Sequence, residues 1–292
     1  MSFGPHLFLA LLEGTLAASV LALMALGLSL VFGVMRVVNV AHGEFFMLGA
    51  VLAWAFSNLA AGTPALGFLL ALTASPLIVG AIAFAADRLV LCRLAYKPEA
   101  TIVATIGLLF VIQQATLTLY GPDARPVQPP FDFRVQFPWF GYSGYKFVVI
   151  AASAALLLAY WFGLMRTRIG LVMRATQYDR ETAQTFAIPV ARVYSMIFVL
   201  GAMLAAVAGV LVVPIQQAYY LMGMDPLLLS FITVILGGLG SLRGTVVAAF
   251  VIGISDGVIS VFFSPTLSKI LATLLVALVL VFRPAGLSAR KS

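Results

Sequence analysis

Few residues of this chain are equipped for chemistry, and most of those lie in apolar surroundings. In RVVNVAHGEFFMLGA, residues 36–50, Asn39, His42 and Glu44 open an apolar stretch beside Gly43. Hydrocarbon leaves polar groups unsatisfied, so an amide, an imidazole and a carboxylate placed there must face other helices or a wet cavity. One reading makes them the lining or hinge of a solute path, with Gly43 allowing the helix to break. The other makes them a polar cluster at the cytoplasmic interface, satisfied by water. Asp256, near the middle of VIGISDGVISVF, raises the same choice, since Ser255, Ser260 and Gly257 are close enough in sequence to satisfy it structurally. Glu13 reads as interfacial, at the outer end of the first apolar stretch, and Gln113 and Gln114 are amides of the kind that join membrane helices.

These residues exclude more than they establish. No nucleophile stands beside a base, and His42 with Glu44 alone is too little for metal or acid/base catalysis, so no catalytic residue is expected. The single cysteine, Cys92, forms no intrachain disulfide, and no Cys or His cluster has metal-ligand spacing, so neither a metal nor another cofactor is expected. The chain has no GxxxxGK[ST] phosphate loop, so ATP is not bound by that route.

The elements that must position these side chains follow from composition. Of 292 residues 63% are hydrophobic and 9% charged, against about 25% charged in a soluble domain. Apolar stretches succeed one another with short polar breaks, which predicts an all-α, polytopic transmembrane bundle and one membrane domain over residues 1–292. The net charge of +7 is scattered between apolar stretches rather than gathered in a stripe, so nucleic acid is not an expected partner and the lipid bilayer is. No Lys or Arg precedes Arg36, and the stretch from Leu7 to Met35 exceeds a signal-peptide core, so the first segment is expected to be retained.

Taking about 20 residues per crossing, fewer where a segment is broken, the sequence predicts about nine segments (eight to ten), some broken or re-entrant. They run from Phe8 to Val34, Phe45 to Ala60, Ala65 to Ala86, Ala100 to Tyr120, Phe147 to Met165, Val193 to Val213, Leu227 to Leu239, Thr245 to Phe263 and Leu267 to Phe282. Strict alternation with the C-terminus inside puts thirteen basic residues on the cytoplasmic side and leaves only Arg125, Arg134, Lys146 and Lys269 outside. The second segment is short and follows a polar patch; were it re-entrant, the N-terminus would lie inside. Residues 121–146, with five prolines, read as an ordered external loop ending in an aromatic belt. AHGEFFMLGAVL at 41–52 and LRGTVVAAFVIG at 242–253 share a polar break before a span rich in small residues, a likeness too weak to establish a repeat.

Two interruptions stand out. GGLGSLRG, residues 237–244, reads as a tight cytoplasmic turn with a gating role added, through Gly237, Gly238 and Gly240. Gly253 with Gly257 reads as a close-packing face. The cytoplasmic loop 166–192 holds a short helix from Arg180 to Ala187, capped by Asp179 and stopped by Pro189. One face of this helix presents Ala183 and Ala187, small enough to enter a groove on a partner.

NVAHGEFFMLGA, RATQYDRETAQTFAIPVARV and ILGGLGSLRGTVVAAFVIG, in this order, resemble the permease subunits of high-affinity branched-chain amino-acid ABC importers, over about Glu13 to Gly286. The resemblance implies a subunit of the bacterial inner membrane that translocates leucine, isoleucine or valine. The solute is delivered by an external binding protein, beside a second homologous permease subunit and two cytoplasmic ATP-binding subunits. It also implies a coupling helix docked on the ATPase, at Arg174, Ala175, Asp179, Ala183, Ala187 and Pro189; the polar and glycine residues singled out above, Asn39, His42, Gly43, Glu44, Gln113, Asp256, Gly237, Gly238 and Gly240, are the candidate path or gate. Where such proteins commonly read Leu-Gly-Ile, this chain reads Phe186-Ala187-Ile188. The alternative is an ion-coupled secondary transporter or channel for urea or amides, using Asp256 or Glu44.

Overall fold

The computed structural model describes residues 3–264 together with 266, 267, 270, 271 and 274. It is an all-α helical bundle. The expected ninth segment, Leu267 to Phe282, lies almost wholly outside the described residues, as do Arg283, Arg290 and Lys291. Among the described residues six helices are long and apolar enough to cross a membrane. They are α1 (Phe3–Met35), α3 (Pro64–Ala86, prolonged by a π-helical turn over Asp87–Leu91), α4 (Pro98–Tyr120), α5 (Gly144–Arg166), α8 (Val190–Val212) and α10 (Leu242–Phe262). Between them lie α2 (His42–Leu59), α6 (Arg168–Tyr178), α7 (Arg180–Thr185) and α9 (Met224–Gly237).

Hydrophobicity cannot sort these helices into inner and outer ones, because lipid is as apolar as leucine; side-chain size sorts them instead. In α1 the buried Ala10, Gly14, Ala18 and Ala22 recur every four residues and form one small-residue stripe. Against it lies α10, where a methyl at Gly253 would meet Ala18 and one at Gly257 would meet Gly14 and Ala10. The expected close-packing face of Gly253 and Gly257 is thus present, and α1, mostly buried, becomes the spine of the bundle. The second buried helix, α8, packs on α2 in the same way: a methyl at Gly49 would strike Ala206, and one at Gly209 would strike the Phe46 carbonyl. Helices α4 and α5 keep large side chains such as Phe110, Val111, Leu158 and Phe162 on exposed faces.

The two ends of the bundle differ in charge. At one end, Gly33 of α1, Gln177 of α6 and Gly240 meet, and Tyr96 reaches the Ala191 carbonyl at 3.5 Å. Arg36, Arg88, Arg180, Arg192 and Arg243 gather there. At the other end, Glu13 pairs with Lys146 at 2.5 Å, which fits the interfacial reading of Glu13. The loop between α4 and α5 is ordered there by two small antiparallel pairs, β1 (Arg125–Pro126) with β4 (Gln217–Ala218) and β2 (Arg134–Gln136) with β3 (Gly141–Ser143). Phe137 and Phe140 of this loop pack on Phe8, with ring centroids 5.1 and 6.1 Å away.

Candidate functional site

Two helices of the bundle are broken, and they meet. Residues 36–41 leave the end of α1 through a left-handed Arg36 (φ 54°) and turn back into the bundle without helical structure. Their polar groups are met locally and by α4. The Ala41 amide donates to Asn39 Oδ1 at 3.1 Å, an Asx turn, and the Val40 amide donates to Thr105 Oγ1 at 3.2 Å. Helix α2 then begins at His42, whose Nε2 donates to the Met24 carbonyl at 3.0 Å. Met24 lies about 14 Å along α1 from Gly33 at 1.5 Å per residue, near half the depth of the hydrocarbon core.

Helix α9 starts at the same depth and runs the other way, from Met224 to the basic end. At 14 residues it reaches about 21 Å, short of a full crossing. The contact between the two helix starts is backbone to backbone: a Cβ on Gly43 would lie 2.5 Å from the Gly223 carbonyl oxygen and 2.9 Å from Leu227 Cβ. Only glycine permits this approach. The first turns carry Glu44 and Asp225, charges that complement the positive ends of the two helices.

Asn39, His42 and Glu44 are buried to within 1% inside the bundle, so the reading of a cluster satisfied by water at an interface does not describe this structure. Glu44 Oε1 accepts from Gln113 Nε2 at 2.9 Å, which unites two expected residues on α2 and α4. Among the described residues Asn39 Nδ2, His42 Nδ1 and Glu44 Oε2 have no hydrogen-bond partner. Such orphaned polar atoms are costly in a dry interior. The start of α2 meets the start of α9 at this junction, through Gly43 and Gly223. The signal for α9 was in the sequence, with Gly223, Asp225 and Pro226 marking a helix start; its contact with Gly43 was not.

At the basic end, Asp179 caps α7 as expected, accepting from the amides of Glu181 at 2.9 Å and Thr182 at 3.1 Å. With the Thr182 hydroxyl, 2.5 Å away, these bonds hold the Asp179 carboxyl below its ordinary range. The helix stops at Thr185 rather than Ala187. Ala187 takes φ 57°, its amide bonds the Gln184 carbonyl at 3.0 Å, and the Ile188 amide bonds Ala183 at 3.1 Å. This pair of bonds is a Schellman closure, whose left-handed position favours glycine. Alanine adopts this geometry under strain.

Ala183 is 4% exposed and faces the bundle, so the expectation that one face of this helix presents both alanines to a partner is corrected: Ala187 is exposed, Ala183 is not. A helix of under two turns that closes back on the bundle has to bury one face. The residues that project are Tyr178 and Phe186, on either side of α7. Arg174 donates to Met165 Sδ at 3.1 Å, the Ala175 carbonyl accepts the Asp179 amide at 3.1 Å, and Pro189 opens α8.

The turn 237–241 is tight, with Gly238 at φ 95° and Gly240 at φ 79°, while Gly237 packs on Gly244. Gln177 Nε2 donates to the Gly240 carbonyl at 3.0 Å, linking α6 to this turn. That link escaped sequence reasoning, because nothing local marks Gln177. Asp256 lies elsewhere, in a cavity of about 370 Å³ among α1, α2, α8, α9 and α10 that also holds Glu13, Leu16, Met24, Phe46 and Leu229.

Residues 10–280 match the family model described as branched-chain amino acid transport system / permease component. The chain is 28% identical to the high-affinity branched-chain amino acid transport system permease protein BraD of Pseudomonas aeruginosa, over 98% of this chain and 96% of that protein. It is also 28% identical to the corresponding permease protein LivH of Escherichia coli K12, over 95% and 94% of the two chains. PsaBC from Streptococcus pneumoniae in complex with Fab is a more distant structural likeness, with a TM-score of 0.48 and 14% identity over 91% of this chain and 89% of that one.

Proposed function

The chain belongs to the family of permease components of branched-chain amino acid transport systems, and from that premise we propose that it is the membrane subunit of an ABC importer of leucine, isoleucine and valine. The match across residues 10–280 carries this reading. Its proposed partners are a second homologous permease subunit, two cytoplasmic ATP-binding subunits and an external solute-binding protein. The ion-coupled alternative is not favoured by this family membership.

Residues 1–292 form one membrane domain in this reading. Eight of the nine crossings fall among the described residues if 36–59 and 219–237 each count as one crossing, part extended and part helical. The clustering of arginines at one end supports placing that end, and the C-terminus, in the cytoplasm of the cell whose plasma membrane holds the protein. There Tyr178 and Phe186 are the side chains offered to an ATPase. Arg174, Ala175, Asp179, Ala183, Ala187 and Pro189 set the shape of the lever behind them.

The path is assigned to the junction of the two broken helices and the adjoining cavity. Broken helices at mid-depth are places where backbone and buried polar groups can engage a solute. The orphaned atoms of Asn39, His42 and Glu44 beside Gly43 and Gln113 are the ones another state of the transporter would satisfy. The Asp256 cavity is lined chiefly by apolar side chains, a lining that suits an aliphatic side chain. Gly237, Gly238 and Gly240 form the gate-side turn, tied through Gln177 to the coupling loop. The test is uptake of labelled leucine by cells carrying the full set of subunits. Competition by isoleucine and valine is expected. Competition by urea or short amides, with none by valine, would overturn the substrate assignment.

A further inference from the structure

At the basic end a cavity of about 460 Å³ opens between the π-helical turn after α3, helix α7 and the start of α8. Its walls carry three guanidinium groups, Arg88, Arg180 and Arg192, with Tyr96, Tyr194 and Gln184 between them. No carboxylate lines it. Asp87, next to Arg88 in sequence, is fully buried behind Tyr96 and engaged by the hydroxyls of Ser195 and Tyr96, while Asp179, committed to capping α7, and Glu181 line the adjoining cavity on the other side of Arg180. Among the described residues Arg88, Arg180 and Arg192 form no salt bridge, and the pair of Lys146 with Glu13 lies at the other end of the bundle.

The pocket is shaped as well as charged. Arg180 lies over the Tyr194 ring at 5.5 Å, and Tyr194 is braced edge-on by Tyr96 at 5.0 Å. Arg88 lies over the ring of Phe84 at 5.2 Å. Phe84, one turn before Arg88 on α3, is exposed, and Leu77 two turns farther along the same face is exposed too. Positive charge at the level where an apolar helix leaves the hydrocarbon, joined to an uncovered apolar strip above it, matches a lipid with a negatively charged head and an acyl tail. An acidic protein segment would match the arginines but would gain nothing from the strip.

We infer that this pocket binds the headgroup of an anionic phospholipid, the phosphate held by Arg88, Arg180 and Arg192 and an acyl chain lying on Phe84 and Leu77. This rests on the reading that the basic end faces the cytoplasm. Because Arg180 belongs to α7 while Arg88 and Arg192 belong to membrane helices, a bound headgroup would pin the coupling loop to the bundle.

The experiment uses the purified full chain, stripped of lipid in detergent and titrated with phosphatidylglycerol or phosphatidylcholine under native mass spectrometry. One tight site for phosphatidylglycerol and none for phosphatidylcholine is expected. Each of Arg88→Gln, Arg180→Gln and Arg192→Gln should weaken it about fivefold, and an Arg166→Gln, Arg168→Gln control should leave it unchanged. The single variants keep the test decisive if the triple variant fails to fold. Equal binding of the two lipids, undiminished binding by the variants, or displacement by millimolar inorganic phosphate would each overturn the proposal. So would a triple variant that keeps the lipid yet loses the ATPase subunits, since an acidic partner segment would then be the occupant. The readout needs no transported solute, so a wrong substrate assignment would leave this result standing.

Discussion

Replacing Gly43 by alanine adds one methyl group at the junction of the two broken helices, and its cost can be worked from the contacts there. The new Cβ would sit 2.5 Å from the Gly223 carbonyl oxygen and 2.9 Å from Leu227 Cβ, where ordinary contact is about 3.5–4.0 Å. The obstacle at Gly223 is backbone, which cannot swing aside, so α2 and α9 must separate by about 1 Å. Overpacking of this kind costs about 1–3 kcal/mol, or roughly five- to a hundredfold in the folded population. Gly163→Ala in α5 is the matched control: nothing lies within 4 Å of its Cβ, and alanine is preferred to glycine within a helix by about 1 kcal/mol. Thermal midpoints of the purified chain and leucine uptake with the partner subunits should therefore diverge. Gly43→Ala is expected to melt several degrees lower and to transport poorly, Gly163→Ala to match or exceed the unaltered protein. Gly223→Ala should resemble Gly43→Ala, and the double variant should cost less than the two singles together, because the first substitution already parts the helices. A Gly43→Ala protein with unchanged midpoint and uptake would refute the meeting of the two helix starts.

Ala187→Gly should relieve the left-handed strain at φ 57° and stabilise the coupling loop by about 1 kcal/mol, seen as slower amide exchange over 180–188. Ala183→Arg, which forces a cation into a buried position, should lower the abundance of the chain itself, whereas Phe186→Ala should spare abundance and weaken co-purification of the ATPase; equal abundance for both would contradict the orientation of α7. Gln177→Ala removes the bond to the Gly240 carbonyl, worth about 1 kcal/mol, and uptake should fall while ATPase binding persists. Because the folded Asp179 carboxyl is held below its ordinary range, its cap stabilises α7 fully above that range and the contribution is lost as pH falls through the lowered folded value; protease sensitivity of the loop should rise across that interval and lose this pH dependence in Asp179→Asn.

Sequence alone determined whatever depends on composition or on a few adjacent residues. Sparse charge with apolar stretches in series dictates a membrane bundle, because such a chain cannot cover itself with polar surface in water. The Asp179 cap was legible because its partners, the amides of Glu181 and Thr182, lie two and three residues away. The need for close packing at Gly253 and Gly257 was legible from their spacing of four, and only their partner, α1, had to be supplied by the fold.

Tertiary structure decided what depends on residues far apart in the chain. Asn39, His42 and Glu44 read equally well as interfacial or as lining a path, since their depth is set by Met24, Gln113 and Gly223, which no local pattern connects to them. The same holds for the side of α7 that meets the bundle: a helix this short has no periodicity to read, and only the closure of Ile188 onto Ala183 turns that alanine inward. Lipid removes the usual polar-out signal, so in this chain depth and facing come from contacts between helices rather than from the residues of any one of them.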